Sequence, residues 1–367
     1  MADNTDLNIL FSPLQLGGLR LRNRIGMSPM CQYSAIDGVP QAWHMAHLGG
    51  RATGGLGLMI VEATGVVPEG RITPGCTGLW DDAQRDAFAP IVAFVKSQGT
   101  AIGIQLAHAG RKASCALPWQ GGAQLGAAQG GWQTVAPSAL AFRDEDNTPK
   151  VMSVDDIKQL VASFVAAARR AVAAGFDLVE IHGAHGYLLH SFLSPLSNRR
   201  DDDYGGPLQN RARALYEVVT AVKDVLPASV ALSVRLSCSD WVDGGLTVAE
   251  CVEVAKHLKT LGVDLVDCSS GGLVPDAKIP AGPLYQVPFA QQIRAGAGIA
   301  TAAVGIITKP QEAADIVGSG KADMVLLARA LLREPYWALK AALEAGVDMP
   351  VAPQYLRGID AKHLSRL

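Results

Sequence analysis

SVDDIKQLVASFVAAARRAVAAGFDLVEIHGAHGY, residues 153–187, contains one complete step of the fold. Ser153, followed by Asp155 and Asp156, is an N-cap with acidic residues in the first turn, where they oppose the helix dipole. Apolar residues then recur at helical spacing through Ala174, and Gly175 supplies a left-handed stop. Two residues later the pattern changes to Asp177-Leu-Val-Glu-Ile181, a short strand of mostly apolar residues. That strand runs into a glycine-containing loop carrying His182, His185 and Tyr187.

The same step recurs along the chain. Strand patterns fall at 24–28, 58–62, 101–106, 177–181, 230–236, 265–269, 300–304 and 324–328, eight in all. Helical patterns fall at 82–98, 153–174, 208–225, 247–261, 310–318 and 334–345. A second helix ends in the same way, at Leu261-Gly262 ahead of Asp264. The strands are near-continuous apolar runs, as parallel strands covered on both faces are. Eight strand–helix units with no break in rhythm predict an α/β protein of the (β/α)8 TIM barrel class, a single domain over residues 1–367. A doubly wound sheet predicts fewer strands and a G-x-G-x-x-G after the first; here the first strand runs into Met30-Cys-Gln-Tyr-Ser-Ala-Ile-Asp-Gly38. Two long excursions leave the carboxyl ends of strands three and four, at 107–152 and 183–207. The first contains GGAQLGAAQGG at 121–131, expected to be a flexible surface insertion. Carboxyl ends of barrel strands are where active sites are built.

The 367 residues are 49% hydrophobic and 18% charged, with a formal net charge of −2. No basic patch points to nucleic acid. Apolar runs are interrupted well short of the roughly 18 residues a membrane span needs. The opening MADNTDLNIL lacks the pattern of a signal peptide. Six cysteines, at 31, 76, 115, 238, 251 and 268, form no CxxC or CxxH pair, so no metal site is expected and a reduced, cytoplasmic protein is.

The densest chemistry lies at His182-Gly-Ala-His185-Gly-Tyr187. Two imidazoles and a phenol can polarise a carbonyl and supply a proton, and the glycines let backbone approach a ligand closely. Taken alone, these residues fit a surface loop with incidental histidines equally well; as a metal pair they lack a third ligand. The surrounding sequence is more specific. Leu188-Leu-His-Ser-Phe-Leu-Ser-Pro195, Asn198-Arg-Arg-Asp-Asp-Asp-Tyr-Gly-Gly206 and Asn210-Arg211 follow. Ser28-Pro-Met-Cys-Gln-Tyr33 lies on the first strand, Gln105-Leu-Ala-His-Ala-Gly-Arg-Lys112 on the third, and Gln354-Tyr-Leu-Arg-Gly358 near the end. In this order, from about residue 10 to 358, these segments resemble the Old Yellow Enzyme family, in its bacterial branch with a cysteine near the flavin.

That resemblance implies non-covalently bound FMN, reduced by NADPH or NADH. Hydride then passes to the β-carbon of an alkene conjugated to a carbonyl or nitro group. His182 and His185 match the pair that holds the carbonyl oxygen. Tyr187 matches the proton donor to the α-carbon, a role a phenol of pKa about 10 suits. Cys31 matches the thiol beside the flavin, which tunes it and touches substrate, with Pro29, Met30 and Ala63 among the implied cofactor contacts. Gln105 suits the pyrimidine edge, since an amide offers both a donor and an acceptor. Arg235 suits the N1–C2=O edge, where the reduced flavin's charge gathers. Gly305, and a helix start after Ala328 with Arg329 as a charged clamp, fall where barrels bind phosphate. Tyr33 and Lys112 are expected at the substrate pocket. Arg357 matches an arginine that reaches from one subunit into its neighbour's site. A homodimer or homotetramer is thereby implied, with Tyr355 and the tail 350–367 at the interface. Outside the resemblance, a buried salt bridge for Arg235 and a plain core thiol for Cys31 remain open.

Two features depart from the family pattern. Some relatives carry a tryptophan after strand seven, where this chain reads Ala302-Ala-Val304, and the 115–135 segment is longer than in close relatives. Both leave substrate preference open. A related iron–sulfur dehydrogenase would need clustered cysteines and a C-terminal nucleotide domain. A Schiff-base barrel enzyme would need a lysine at a strand end. Neither is expected here. A non-catalytic binding barrel is the remaining alternative, and colour separates it from a yellow flavoprotein.

Overall fold

Ser153 caps its helix as its position predicts. Its Oγ accepts from the Asp156 N–H at 3.1 Å, while the Asp156 carboxylate accepts from the Ser153 N–H at 2.9 Å. The helix runs Val154–Ala174, burying Ile157, Leu160, Phe164 and Ala171. It stops at Gly175, whose φ of +92° glycine adopts without strain. The aspartate that follows stitches strands together. Asp177 accepts from the N–H of Ile102 at 3.1 Å, Asp264 from that of Leu232 at 2.9 Å, and Asp323 from that of Thr301 at 2.9 Å. The glycine-then-aspartate signature thus ends one helix and registers the next strand against its neighbour.

The computed structural model describes residues 6–359. In it the strands are β1 (Ile25–Met27), β2 (Leu58–Gly65), β3 (Ala101–Ala107), β4 (Leu178–Gly183), β5 (Ala231–Ser237), β6 (Leu265–Ser269), β7 (Thr301–Ala303) and β8 (Met324–Leu327). They are parallel and form one closed barrel in chain order, with β8 paired to β1. The helices that follow them in turn are α1 (Ala42–Ala52), α2 (Asp82–Ser97), α3 (Val154–Ala174), α4 (Arg213–Lys223), α5 (Val248–Thr260), α6 (Val287–Ala297), α7 (Pro310–Gly318) and α8 (Trp337–Ala345).

The strands are buried on both faces, and for that reason their sequences do not alternate. Met59 and Val61 of β2 belong to the core that also takes in the helices, whereas Leu58 and Ile60 belong to a second, inner cluster. That inner cluster also holds Leu178, Leu265 and Leu326, together with Leu14, Leu16 and Leu21 from an antiparallel hairpin ahead of the barrel. The hairpin packs on the first residues of β2, β4 and β6, so it closes the amino end and leaves the carboxyl end for chemistry. Its turn is tight: a Cβ on Gly18 would fall 2.1 Å from the carbonyl oxygen of Ala228. Gly18→Ala is therefore expected to cost about 1–3 kcal/mol through forced backbone displacement, read as a lowered midpoint in denaturant unfolding.

The structure corrects several sequence expectations. Helices α1 and α6 were not among the helical patterns. Helix α1 hides because its core face carries His44, His47 and Arg51 beside Leu48 and Ala52. Two of these polar side chains find partners inside the protein: the Gln41 N–H donates to His44 Nδ1, whose Nε2 lies 3.2 Å from Glu62 Oε1, and Arg51 donates to the carbonyls of Leu331 and His47. The helix expected at 208–225 divides at Ala212 into Leu208–Arg211 and α4, and the one expected at 334–345 begins at Trp337. Strand four extends through Gly183, so His182 is a strand residue. The 121–131 segment is largely exposed turn structure, and the excursion around it contains a short parallel pair, Val135–Ala136 with Lys150–Val151. Of the tail 350–367, residues 360–367 lie outside the described residues. No helix of the described residues is long and apolar enough to cross a membrane.

Candidate active site

The carboxyl end of β4 sets the site. His182, only 3% exposed, accepts the N–H of Ala184 on its Nδ1 at 3.2 Å. The chain then turns sharply: His185 has φ 59° and Gly186 φ 75°. A Cβ on Gly186 would lie 2.2 Å from the Gly272 carbonyl oxygen, so the turn is packed against the loop after β6. The N–H of Gly186 donates to His190 Nδ1 at 2.8 Å, and His190 Nε2 lies 3.0 Å from Asp240 Oδ1, both side chains fully buried. Asp240 also accepts from Ser194 Oγ and the Leu246 N–H, and so ties this turn to the loop after β5.

Three predicted residues come together as a result. The His182 ring centroid lies 5.2 Å from that of His185 and 5.0 Å from that of Tyr187, both edge-on. Burial first, then the Arg235 charge, pushes both imidazoles well below the usual histidine range. Burial first, then neighbouring thiol and phenol groups, pushes the Tyr187 phenol well up. The rings are neutral and the phenol keeps its proton at neutral pH. Lys112 donates to the carbonyls of His185 (2.8 Å) and Gly272 (2.7 Å) and sits over the rings of Phe142 and Tyr187. Burial and Arg111 pull it down to about 8. At the expected pocket mouth, the ammonium is therefore bound to backbone rather than open to a ligand.

The other strand ends surround this turn. Pro29, Met30, Cys31 and Tyr33 follow β1, half-buried, with Tyr33 at φ 51° and edge-on to Trp119 at 6.0 Å. The Gln32 N–H donates to Glu62 on β2, the strand that also supplies buried Ala63. Hydrogen bonding with Cys76, then burial, pushes the Cys31 thiol well up, so it is present as a thiol. Gln105 on β3 donates to Glu180 on β4 at 2.9 Å, and Ser233 on β5 donates to the other oxygen of the same carboxyl at 2.9 Å. Arg235 Nε lies 3.0 Å from Asp267 on β6. The sequence pointed to Gln105 and Arg235; the buried acids beneath them it did not single out.

That acid pair has a measurable consequence. Burial first, then the Asp267 charge, pushes Glu180 from its ordinary 4.5 up to about 8. The folded protein thus holds a proton that the unfolded chain releases. The contribution to stability is complete below about 4.5 and is lost as pH rises toward about 8. Glu180→Gln is expected to flatten that decline in denaturant unfolding across this range; an unchanged slope would contradict a neutral Glu180.

A cavity of about 480 Å3 runs from His185, Arg235 and Ser269 to Gly305, Ala328 and Arg329. A second, of about 290 Å3, lies on the far side of the turn, lined by Tyr33, Lys112, Cys115, Phe142, Arg143 and Tyr187. The first fits an FMN. Gly305 and Ile306 line it with φ of 132° and 54°, and the left-handed region is rare for a β-branched residue, so the backbone there is held in a special shape. Arg329 lines it too, exposed and with no ion-pair partner among the described residues. A short helix, Arg329–Arg333, begins directly after Ala328. Toward the barrel axis, no hydrogen bond among the described residues takes up the Gln105 Oε1 or the Arg235 Nη groups. Arg329 where a phosphate would lie, and the Arg235 guanidinium at the other end of the cavity, suit the cofactor's polar groups.

Arg357 lies elsewhere. It is exposed on the turn Pro353–Gly358, beside Tyr355, whose hydroxyl is 3.3 Å from that of Tyr336 after β8. It is not brought to His182 and Tyr187 of its own chain.

The NADH:flavin oxidoreductase / NADH oxidase family matches residues 9–346. The NADPH dehydrogenase of Geobacillus thermodenitrificans (strain NG80-2) is 50% identical over 352 residues, covering 95% of this chain and 98% of that protein. The structure of morphinone reductase in complex with tetrahydroNAD superposes with a TM-score of 0.75 at 30% identity, covering 94% of this chain and 93% of that one. An Old Yellow Enzyme homologue from Zymomonas mobilis gives a TM-score of 0.76 at 28% identity, covering 93% and 94%.

Proposed function

The chain belongs to the NADH:flavin oxidoreductase / NADH oxidase family, and from that premise we propose that it is an ene-reductase, reducing the C=C bond of alkenes activated by a carbonyl or nitro group. Its cofactor is FMN and its reductant a reduced nicotinamide. The observation that carries the reading is the grouping of the His185 imidazole and the Tyr187 phenol around His182, with ring centroids 5.2 and 5.0 Å from its own, between the two cavities.

When bound, FMN supplies hydride, drawn from the nicotinamide, to the alkene's β-carbon. Arg235 and Gln105 would hold the flavin ring edge, with Pro29, Met30, Cys31 and Ala63 against it. Gly305, Ala328 and Arg329 would hold the phosphate. His182 and His185 bind the activating oxygen, on which negative charge grows as hydride arrives. Preplaced donors stabilise that charge more than they stabilise the neutral ground state. Tyr187 delivers its proton to the α-carbon, and the Lys112 cation, 5.3 Å from the ring centroid, steadies the phenolate left behind. Tyr33 and Lys112 wall the substrate side, and the thiol of Cys31 touches both substrate and cofactor.

The reading is tested by isotopes. With a cyclic enone and reductant deuterated at the transferred position, deuterium is expected on the β-carbon only; in deuterated water it is expected on the α-carbon only. Reduction of the carbonyl to an alcohol would overturn the proposal. Arg357 and Tyr355 are assigned to a homodimer or homotetramer in the cytoplasm. Arg357→Ala is expected to weaken enone binding, read as raised KM. A protein that sediments as a monomer with full activity would refute the shared site.

A further inference from the structure

We propose that Ser269 is a positioning residue that fixes which nitrogen of His185 faces the substrate, so that the two imidazoles present opposite nitrogens: Nε2–H from His182 and Nδ1–H from His185. The inference rests on the ene-reductase reading of the same site and adds to it a side chain from the end of β6.

The His182 ring is settled by one bond. The Ala184 N–H donates to its Nδ1 at 3.2 Å. That nitrogen is an acceptor, so the neutral ring carries its proton on Nε2. Among the described residues Nε2 has no protein partner.

For His185 the arrangement is reversed. Its Nε2 lies 2.7 Å from Ser269 Oγ. Ser269 is buried, 4% exposed, and among the described residues its hydroxyl has no other hydrogen-bond partner. Ser269 donating to His185 satisfies the hydroxyl hydrogen within the protein; if His185 instead donated to it from Nε2, that hydrogen would have no protein acceptor among the described residues. A bare Nδ1 lone pair would then face an oxygen gathering negative charge. With Ser269 as donor both conflicts vanish: Nε2 accepts and Nδ1 carries the proton.

The rest of His185 is equally committed. Its N–H donates to Ser237 Oγ at 2.9 Å, and Ser237 in turn donates to the Gly271 carbonyl at 2.9 Å. Its carbonyl accepts from Lys112 at 2.8 Å. These anchors hold a φ of 59°, which few non-glycine residues keep. Nδ1 alone lacks a partner among the described residues, and it is the atom that must donate. Ser237 and Ser269 end neighbouring strands, paired in register, so the same sheet edge fixes the backbone and the ring of one residue.

The test uses FMN-loaded protein labelled with 15N in histidine. Long-range proton–nitrogen correlation spectra report which ring nitrogen bears hydrogen, with signals assigned through His185→Gln. The wild type is expected to show Nε2–H for His182 and Nδ1–H for His185. Ser269→Ala should move the His185 signals toward the other tautomer and weaken phenol binding about tenfold, the factor one neutral hydrogen bond contributes. Ser269→Thr, which keeps the hydroxyl, should restore both. Nε2–H on His185 in the wild type would overturn the proposal, as would an unchanged spectrum and phenol affinity in Ser269→Ala. Should phenols fail to bind the wild type while His185 carries Nδ1–H, the tautomer assignment stands and the ene-reductase reading beneath it falls.

Discussion

Tyr187→Phe is expected to slow reoxidation by an enone by about 10²- to 10⁴-fold, the range over which a positioned general acid acts. That loss corresponds to about 3–5 kcal/mol of transition-state stabilisation. The phenol is a suitable acid because its surroundings keep it protonated. Burial, then nearby Cys31, Tyr33 and Cys76, disfavour the phenolate. Its place is fixed by the turn at His185 and by the helix Leu188–Leu193 that starts beside it. Reduction by nicotinamide delivers hydride alone and asks no proton of this residue, so that half of the cycle should keep its rate in the variant. Stopped-flow measurement of the two halves separates the outcomes. Equal slowing of both would mean that Tyr187 shapes the cavity rather than giving a proton.

What the sequence could and could not reveal follows the same physical divide. The β4 unit was legible because its signals are local: a serine cap, a glycine stop, and a histidine–tyrosine segment within six residues. The closure into a barrel was legible because the unit recurs eight times. Helix α1 was not, because its buried face is built from His44, His47 and Arg51, which periodicity counts as polar. The acids beneath the ring edge were missed for another reason. Glu180 sits inside an apolar run and looks like a solvent-facing position, yet the strand is covered on both faces. Its partners Gln105 and Ser233 come from adjacent strands, paired in register with it. A carboxylate in an otherwise doubly buried strand was the available signal.

Lys112 and Arg357 show a further divide. Lys112 was expected at the pocket, and it stands there, but its ammonium holds the carbonyls of His185 and Gly272. No sequence pattern shows which backbone carbonyls converge on a lysine; that depends on how the loops after β4 and β6 meet. Ser269 belongs to the same class, since its bond to His185 spans 84 residues of chain. Arg357 lies on the outer turn after α8, and no contact among the described residues brings it to the site of its own chain.

Removing either imidazole is expected to lower turnover of an enone by about 10²- to 10³-fold, the usual effect of losing one oxyanion donor. His182→Ala deletes the donor whose tautomer is set by its own backbone turn; His185→Ala deletes the one set by Ser269. If both donors meet the same oxygen, the double variant should lose less than the product of the single losses. Phenols, which place an oxygen at the same point, should bind more weakly to each variant. The pH dependence is a sharper check. Burial and the Arg235 charge hold both rings well below the ordinary histidine value of 6.5, so neither takes up a proton between about pH 6 and 8. Turnover in the oxidative half should therefore show no inflection there that disappears with either histidine. Such an inflection, lost in His182→Ala or His185→Ala, would mean that an imidazolium holds the oxygen, and the neutral pair of donors would have to be abandoned.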